Sequence, residues 1–356
     1  MATKYITFFL PQFHSIPEND EWWEKDFTEW TNVRRAKPVF ENQIQPKVPL
    51  NGNYYNLLEK STVEWQTELM HKYGVYGFCY FHYWFKGYKL LNKPAENLLE
   101  WKDINQKFCF AWANCTWART WSAVRGTSWA PNDKNDGKEI LMEQTYGEKA
   151  DWIEHYNYLK DFFKDERYIK QDGKPVFLIY KLNDIECNED MFTVWNECAV
   201  KDGFPGIHLV SMNQAPNSKL VEAVAKYGNY SSYATSFLKK VINKLFKAKT
   251  VPSYVYEYEN VWKGLVKEKY ARKYVTYPGA VVTYDETPRR GANSTYLKNA
   301  SPRLFEKYLR LQTQKRNAEF LFIDAWNEWG EGNYLEPDEE NGYAYLEALS
   351  KVSKEL

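Results

Sequence analysis

The stretch Tyr5–His14, YITFFLPQFH, decides the fold. Its opening is a short, mostly apolar run, the pattern of a strand buried on both faces of a parallel sheet. It then runs into Pro-Gln-Phe-His, where a doubly wound open sheet usually carries a glycine-rich phosphate turn. Working outward, similar runs recur at about Val75–Phe81, Lys107–Ala113, Pro175–Tyr180, Ile207–Met212, Tyr230–Ser236, Ala280–Tyr284 and Phe320–Asp324. Helical patterns separate them. Ser61 with Glu64 forms a capping-box signature stopped by Gly74, and Ser301-Pro302 opens another helix. Lys149–Lys164 and Asn217–Tyr227 read as amphipathic helices. The alternation predicts an α/β chain, a single (β/α)8 TIM barrel over residues 1–356. Long loops are expected near 11–59, 114–150 and 237–276, the first two walling a cleft at the C-terminal ends of the strands.

Composition narrows the function. With 47 basic and 47 acidic residues the chain has no net charge, which argues against bulk binding of nucleic acid. No run reaches the ~18 apolar residues of a membrane span, and the N-terminus lacks a signal-peptide pattern. Five cysteines, an odd number with no CxxC, fit a reducing cytoplasm. The segment 237–249, FLKKVINKLFKAK, reads most simply as a peripheral helix docked on the barrel. A membrane-surface or partner contact is its sharper reading. His14, His71, His82, His155 and His208 are scattered and form no HExxH, so no metal is expected. No GxSxG, Walker or GxGxxG turn appears, so no cofactor is expected either.

Aromatic residues are 18% of the chain, and they gather where chemistry is expected. The densest constellation is Phe322–Asp338, FIDAWNEWGEGNYLEPD, directly after the last strand. It holds Asp324, Glu328 and Glu331, with Trp326, Asn327 and Trp329 between them. Two carboxylates at this spacing converge if the turn is helical, and indole walls would raise the pKa of one. A plainer reading has Glu331 capping a helix and Glu328 paired with an arginine. Other strand ends supply Gln12 and His14; His82, Tyr83 and Trp84; Asn114, Trp117, Arg119 and Trp121; Tyr180 and Lys181; Asn213 and Gln214; and Asp285, Arg289 and Arg290. Polar groups interleaved with rings suit a sugar, whose C–H faces pack on aromatics while its hydroxyls take hydrogen bonds. Glu18–Glu21 reads as a solvated loop, but Glu29-Trp30 nearby is placed to face the cleft.

Five stretches carry a family resemblance: FFLPQFHSIPENDEWWEKDFTEWTNV (8–33), QPKVPLNGNYYNL (45–57), YGFCYFHYWF (76–85), TYDETPRRG (283–291) and AWNEWGEGNYLEPD (325–338). They resemble the WbsX-like family, related to glycoside hydrolase family 99, from about Tyr5 to Leu349. The resemblance implies a (β/α)8 barrel and a role among surface-polysaccharide or O-antigen proteins, many labelled glycosyltransferases. Family 99 hydrolases act on α-mannosides and close on NEWHEG, whose glutamates match Glu328 and Glu331. The first is thought to deprotonate the sugar 2-hydroxyl for attack on its own anomeric carbon. The second protonates the leaving oxygen and then activates water. Gly330 replaces the histidine of that motif.

Three readings follow. A retaining glycosidase or transglycosidase acts on an α-mannoside-like oligosaccharide or polysaccharide, with Glu331 as acid/base and Glu328 as general base. It would contact substrate through His14, His82, Tyr83, Trp84, Asn114, Trp117, Arg119, Tyr180, Asp285, Arg290, Trp326, Asn327 and Trp329. A glycosyltransferase of polysaccharide assembly is the alternative, weakened by the missing nucleotide motif. A non-catalytic glycan-binding barrel is the third, and it gains if the two glutamates are far apart or salt-bridged to each other's neighbours.

Overall fold

A computed structural model describes residues 2–118, 139–228, 230 and 254–355. Arg119, Trp121 and the segment 237–249 lie outside the described residues. Eight parallel strands form the barrel: β1 (Lys4–Phe9), β2 (Gly77–Phe85), β3 (Phe108–Trp112), β4 (Lys174–Ile179), β5 (His208–Met212), β6 (Val221–Ala225), β7 (Val275–Tyr277 and Gly279–Val281) and β8 (Phe320–Asp324). Each pairs with the next, and β8 pairs with β1 through Lys4↔Phe320 to Thr7↔Ile323. β7 closes the ring in two pieces. Val275–Tyr277 pairs with β6, and Gly279–Val281 pairs with β8. Pro278 between them has no N–H to give a ladder, which is why the strand divides there.

The helices, in chain order, are α1 (Pro17–Trp22), α2 (Glu29–Arg35), α3 (Lys60–Lys72), α4 (Lys93–Glu100), α5 (Lys149–Lys164), α6 (Asn188–Lys201), α7 (Tyr258–Lys267), α8 (Thr287–Arg290), α9 (Pro302–Arg316) and α10 (Ala344–Glu355). α5 keeps its expected bounds, and Ser301 caps α9 by accepting from Leu304 N. α3 starts at Lys60, so Ser61 lies inside the first turn and cannot cap. None of the described helices is long and apolar enough to cross a membrane.

One part of the expected topology is corrected. Asn217–Tyr227 is not a helix; its centre is β6, and Tyr230–Ser236 is not the sixth strand, although 231–236 lie outside the described residues. Glu222, Ala223, Ala225 and Lys226 favour a helix locally. Burial of Val221, Ala223, Val224 and Ala225 between β5 and β7 overrides that preference. The β5–β6 connection therefore carries no helix, and Asn213 closes it by accepting from Tyr227 N at 3.0 Å.

Phe8, Phe81 and Phe322 fill the barrel, with Phe8 5.7 Å from Phe81 and 5.6 Å from Phe322. Tyr227 stacks edge-on over Phe8 at 4.6 Å and begins the polar layer above. The loop after β1 folds back across this end. It buries Trp22, Trp23, Phe27 and Trp30, and the Trp30 indole donates to Tyr55 O at 2.8 Å. That anchoring carries α2, and with it Glu29, over the barrel mouth.

Candidate active site

The segment leaving β8 is fastened before it presents its carboxylates. The Asn327 amide accepts from Leu10 N (2.7 Å) and donates to Leu10 O (3.0 Å), tying the segment to the end of β1. Trp326 is fully buried against Phe78. Trp329 stacks on Tyr334 with ring centres 3.7 Å apart and donates its indole N–H to Glu336 at 2.7 Å. Glu336 also accepts from Tyr55 (2.9 Å) and Gln66 (2.8 Å), and burial pushes its pKa up to about 7. Trp326, Asn327 and Trp329, all fully buried, thus form the scaffold behind the motif.

Glu328 and Glu331 meet at one guanidinium. Arg289 Nη2 donates to Glu328 at 2.8 Å and Nη1 to Glu331 at 2.6 Å, while Nε donates to Glu29 at 2.9 Å. Glu29 arrives from α2 and Arg289 from α8, so three loops converge on this cluster. Gly330 makes the approach possible. A Cβ there would overlap Glu29 Oε1 and lie 2.7 Å from Arg289 Nε.

One guanidinium faces three carboxylates, two of them buried and Glu331 partly exposed, a deficit that a low-dielectric site answers by holding protons. Burial raises the pKa of both Glu328 and Glu331, and Arg289 opposes it in each. Glu331 keeps 21% of its side chain exposed against 5% for Glu328, so Glu331 is the one nearer the opening. Below them, Asp324 accepts from the Tyr230 hydroxyl. Burial first, and the Glu331 charge second, push Asp324 up to about 8.

Phenols rim the carboxylates. Tyr83, Tyr180, Tyr227 and Tyr284 are all raised by burial, and each also feels the charge of Glu328 or Glu331. They stay neutral and able to donate. Trp117 stands edge-on to Tyr83 at 5.0 Å, extending the aromatic wall. His14 is buried and neutral, its pKa lowered by burial to about 4, and its ring reaches no side-chain partner.

Several expected contacts lie elsewhere. β2 continues to Phe85, so side-chain alternation divides His82, Tyr83 and Trp84. Tyr83 turns to the carboxylates, whereas His82 bonds His155 of α5 at 2.8 Å and Trp84 stacks on that same ring at 4.5 Å. The Asn114 amide is engaged by Lys181 N (2.8 Å), Lys181 O (2.9 Å) and the Tyr146 hydroxyl (2.9 Å), so it joins two strand ends. Asp285 is held by Gln43 and Gln45 at 2.8 and 2.9 Å and positions α8 through Thr287 N. Arg290 is half exposed and pairs with Glu286 at 3.2 Å; its neighbour Arg289 is the one inside. Tyr227 was hidden from the sequence by the helical reading of its segment.

These buried groups set a pH dependence. Asp324 and Glu336, raised to about 8 and about 7, keep protons that the unfolded chain has released, so stability falls as pH rises through that window. His14 and His82, lowered to about 4 and about 3, act the other way. The unfolded chain takes up their protons below pH ~6.5, so stability falls as pH drops from there. Above pH ~6.5 only the carboxyls act. The unfolding free energy is therefore expected to fall toward pH 8 by about 1.4 kcal/mol per pH unit for each retained proton, and the melting temperature with it. Asp324→Asn should flatten that slope. A melting temperature that holds or rises over this range contradicts a neutral Asp324.

Residues 5–349 match the family described as "Glycosyltransferase WbsX". Over 98% of its length the chain is 30% identical to WxcX of Xanthomonas campestris pv. campestris, strain B100. It spans about half, 49%, of the length of that relative. Among solved structures, it is similar to the GH99 endo-alpha-mannosidase from Bacteroides thetaiotaomicron in complex with bis-tris-propane, with TM-score 0.62 and 16% identity over 99% of this chain and 96% of that one. A glycoside hydrolase-like protein gives TM-score 0.62 at 13% identity, covering 99% and 94%. At these identities the structural likeness establishes the barrel fold.

Proposed function

The chain belongs to the WbsX family, and on that footing we propose that it is a carbohydrate-active enzyme that cleaves or transfers a glycosidic bond with retention. The observation that carries the reading is the convergence of Glu328 and Glu331 on Arg289 beneath a rim of neutral tyrosines. Glu331, nearer the opening and raised by burial, gives its proton to the leaving glycosidic oxygen. Glu328, its charge supported by Arg289 Nη2, takes the proton of the sugar 2-hydroxyl as that oxygen attacks C1. Water or an acceptor hydroxyl then adds at C1, losing its proton to Glu331, while the 2-oxygen recovers its own from Glu328. Tyr83 and Trp117 offer ring faces to the sugar, and Tyr180 and His14 its hydrogen bonds. The substrate is an α-mannoside-like oligosaccharide or polysaccharide, which a chain of no net charge accommodates without repulsion. We take residues 1–356 to act as one catalytic unit. All five cysteines are free, which fits a cytoplasmic location.

Two observations favour other readings. The family's description as a glycosyltransferase points to glycosyl transfer from an activated donor. A guanidinium on both glutamates favours their charged forms, which suits a glycan-binding barrel without catalysis. One experiment separates the three: incubate the protein with an α-mannoside panel, with and without sugar acceptors and nucleotide sugars, and follow products by mass and anomeric NMR. Retained-configuration products without a nucleotide support our reading. Products that require a nucleotide sugar support the transferase. Binding with no product supports the third.

A further inference from the structure

Between the loops after β7 and β8 lies a cavity of about 280 Å³, which adjoins the Arg289 cluster and shares Tyr284 with its rim. Four tyrosines line it: Tyr284, Tyr296, Tyr334 and Tyr345. Tyr334 gives its hydroxyl to Asp338 at 2.8 Å, but the hydroxyls of Tyr284, Tyr296 and Tyr345 make no hydrogen bond to any described residue. Tyr345 is only 7% exposed, so its ring is a fixed part of the cavity wall. The amides of Asn42, Asn299 and Asn341 stand beside these rings.

We propose that this cavity binds one neutral sugar residue of the same glycan, distal to the bond being broken. The inference rests on the carbohydrate-active reading above. Rings for the C–H faces of a pyranose, and tyrosine hydroxyls with the Asn42 amide for its oxygens, are the recognition such a residue needs, while Asn299 and Asn341 already donate to Glu257 (2.9 Å) and Asp338 (3.3 Å). Charge excludes acidic sugars. Asp285, Asp338 and Glu340 outnumber Lys47, which is itself paired with Glu340. The wall between the two sites is one loop thick, since Gly332 and Asp285 line the cavity while Asp285 N donates to Glu331 O at 2.6 Å. A glycan chain passing over Gly332 reaches both.

The test uses the full chain carrying Glu331→Gln, screened on an array of neutral and uronate-containing oligosaccharides and titrated with the best neutral binder. Tyr296→Ala should weaken that binding about tenfold. Tyr296→Phe keeps the ring and its packing on Phe40 (5.0 Å), and should retain most of the affinity, which separates ring loss from misfolding. Unchanged affinity in Tyr296→Ala, or a preference for uronates, overturns the cavity assignment and leaves the enzymatic reading untouched. No binding by any oligosaccharide overturns the cavity assignment and counts against the enzymatic reading as well. Binding that follows the expected pattern while the unsubstituted protein makes no product overturns only the enzymatic reading.

Discussion

Glu331→Gln is expected to lower turnover of a glycan with a sugar leaving group by about 10²–10⁴-fold, the usual worth of general acid–base assistance. The size follows from where Glu331 sits. It is the more exposed of the two paired glutamates, and burial holds its carboxyl above the ordinary range. Glutamine keeps the shape and the Arg289 contact but has no proton to give. The loss should therefore appear in kcat more than in KM. It should shrink for substrates such as glycosyl fluorides, whose leaving groups depart without a proton. Glu328→Gln should cost as much with no such recovery, because the task proposed for it is removal of the 2-hydroxyl proton. A Glu331→Gln protein that keeps full activity on a sugar leaving group would remove it from the acid role.

The second large effect concerns Arg289. Arg289→Met preserves bulk but leaves Glu29 and Glu328 buried, and Glu331 partly buried, without the guanidinium they share. Breaking a buried ion pair from one side costs about 3–5 kcal/mol. Denaturant unfolding near neutral pH should show a loss of that order. Adding Glu29→Gln should recover part of it, because the two residues are partners at 2.9 Å and their effects cannot add. The loss should also be smaller at acidic pH, where the stranded carboxyls are protonated. Near-neutral stability of Arg289→Met would mean that these carboxyls carry no charge in the folded chain.

How much of this was legible follows the range of each interaction. The barrel was, because buried parallel strands announce themselves as local apolar runs such as Phe320–Asp324. β6 was not, since its alanines, glutamate and lysine speak locally for a helix and only its neighbours in the barrel make it a strand. The motif from Asp324 to Asp338 was visible as a cluster of carboxylates and indoles. Its division of labour was not. Trp326, Asn327 and Trp329 look equivalent to Glu328 in one dimension, yet hydrogen bonds to Leu10 and Glu336 turn two of them into scaffold. His82, Tyr83 and Trp84 were read together because a strand end was placed too early. Once β2 extends to Phe85, alternation alone sends the outer two to α5. Arg289 and Arg290 are adjacent and chemically alike; the short helix that buries one and exposes the other is set by Asp285 and Gln43, more than 200 residues apart.

Gly330 carries a consequence for the family at large. On this backbone a side chain at position 330 and a glutamate at position 29 occupy the same space. The two side chains therefore compete for one volume, although about 300 residues separate them in the chain. A homologue with histidine in that slot must turn the glutamate carboxyl aside, dispense with it, or move the loop that carries it. In this chain the glycine leaves room for a third carboxylate on Arg289, so the charge around that guanidinium is set by a residue that carries none.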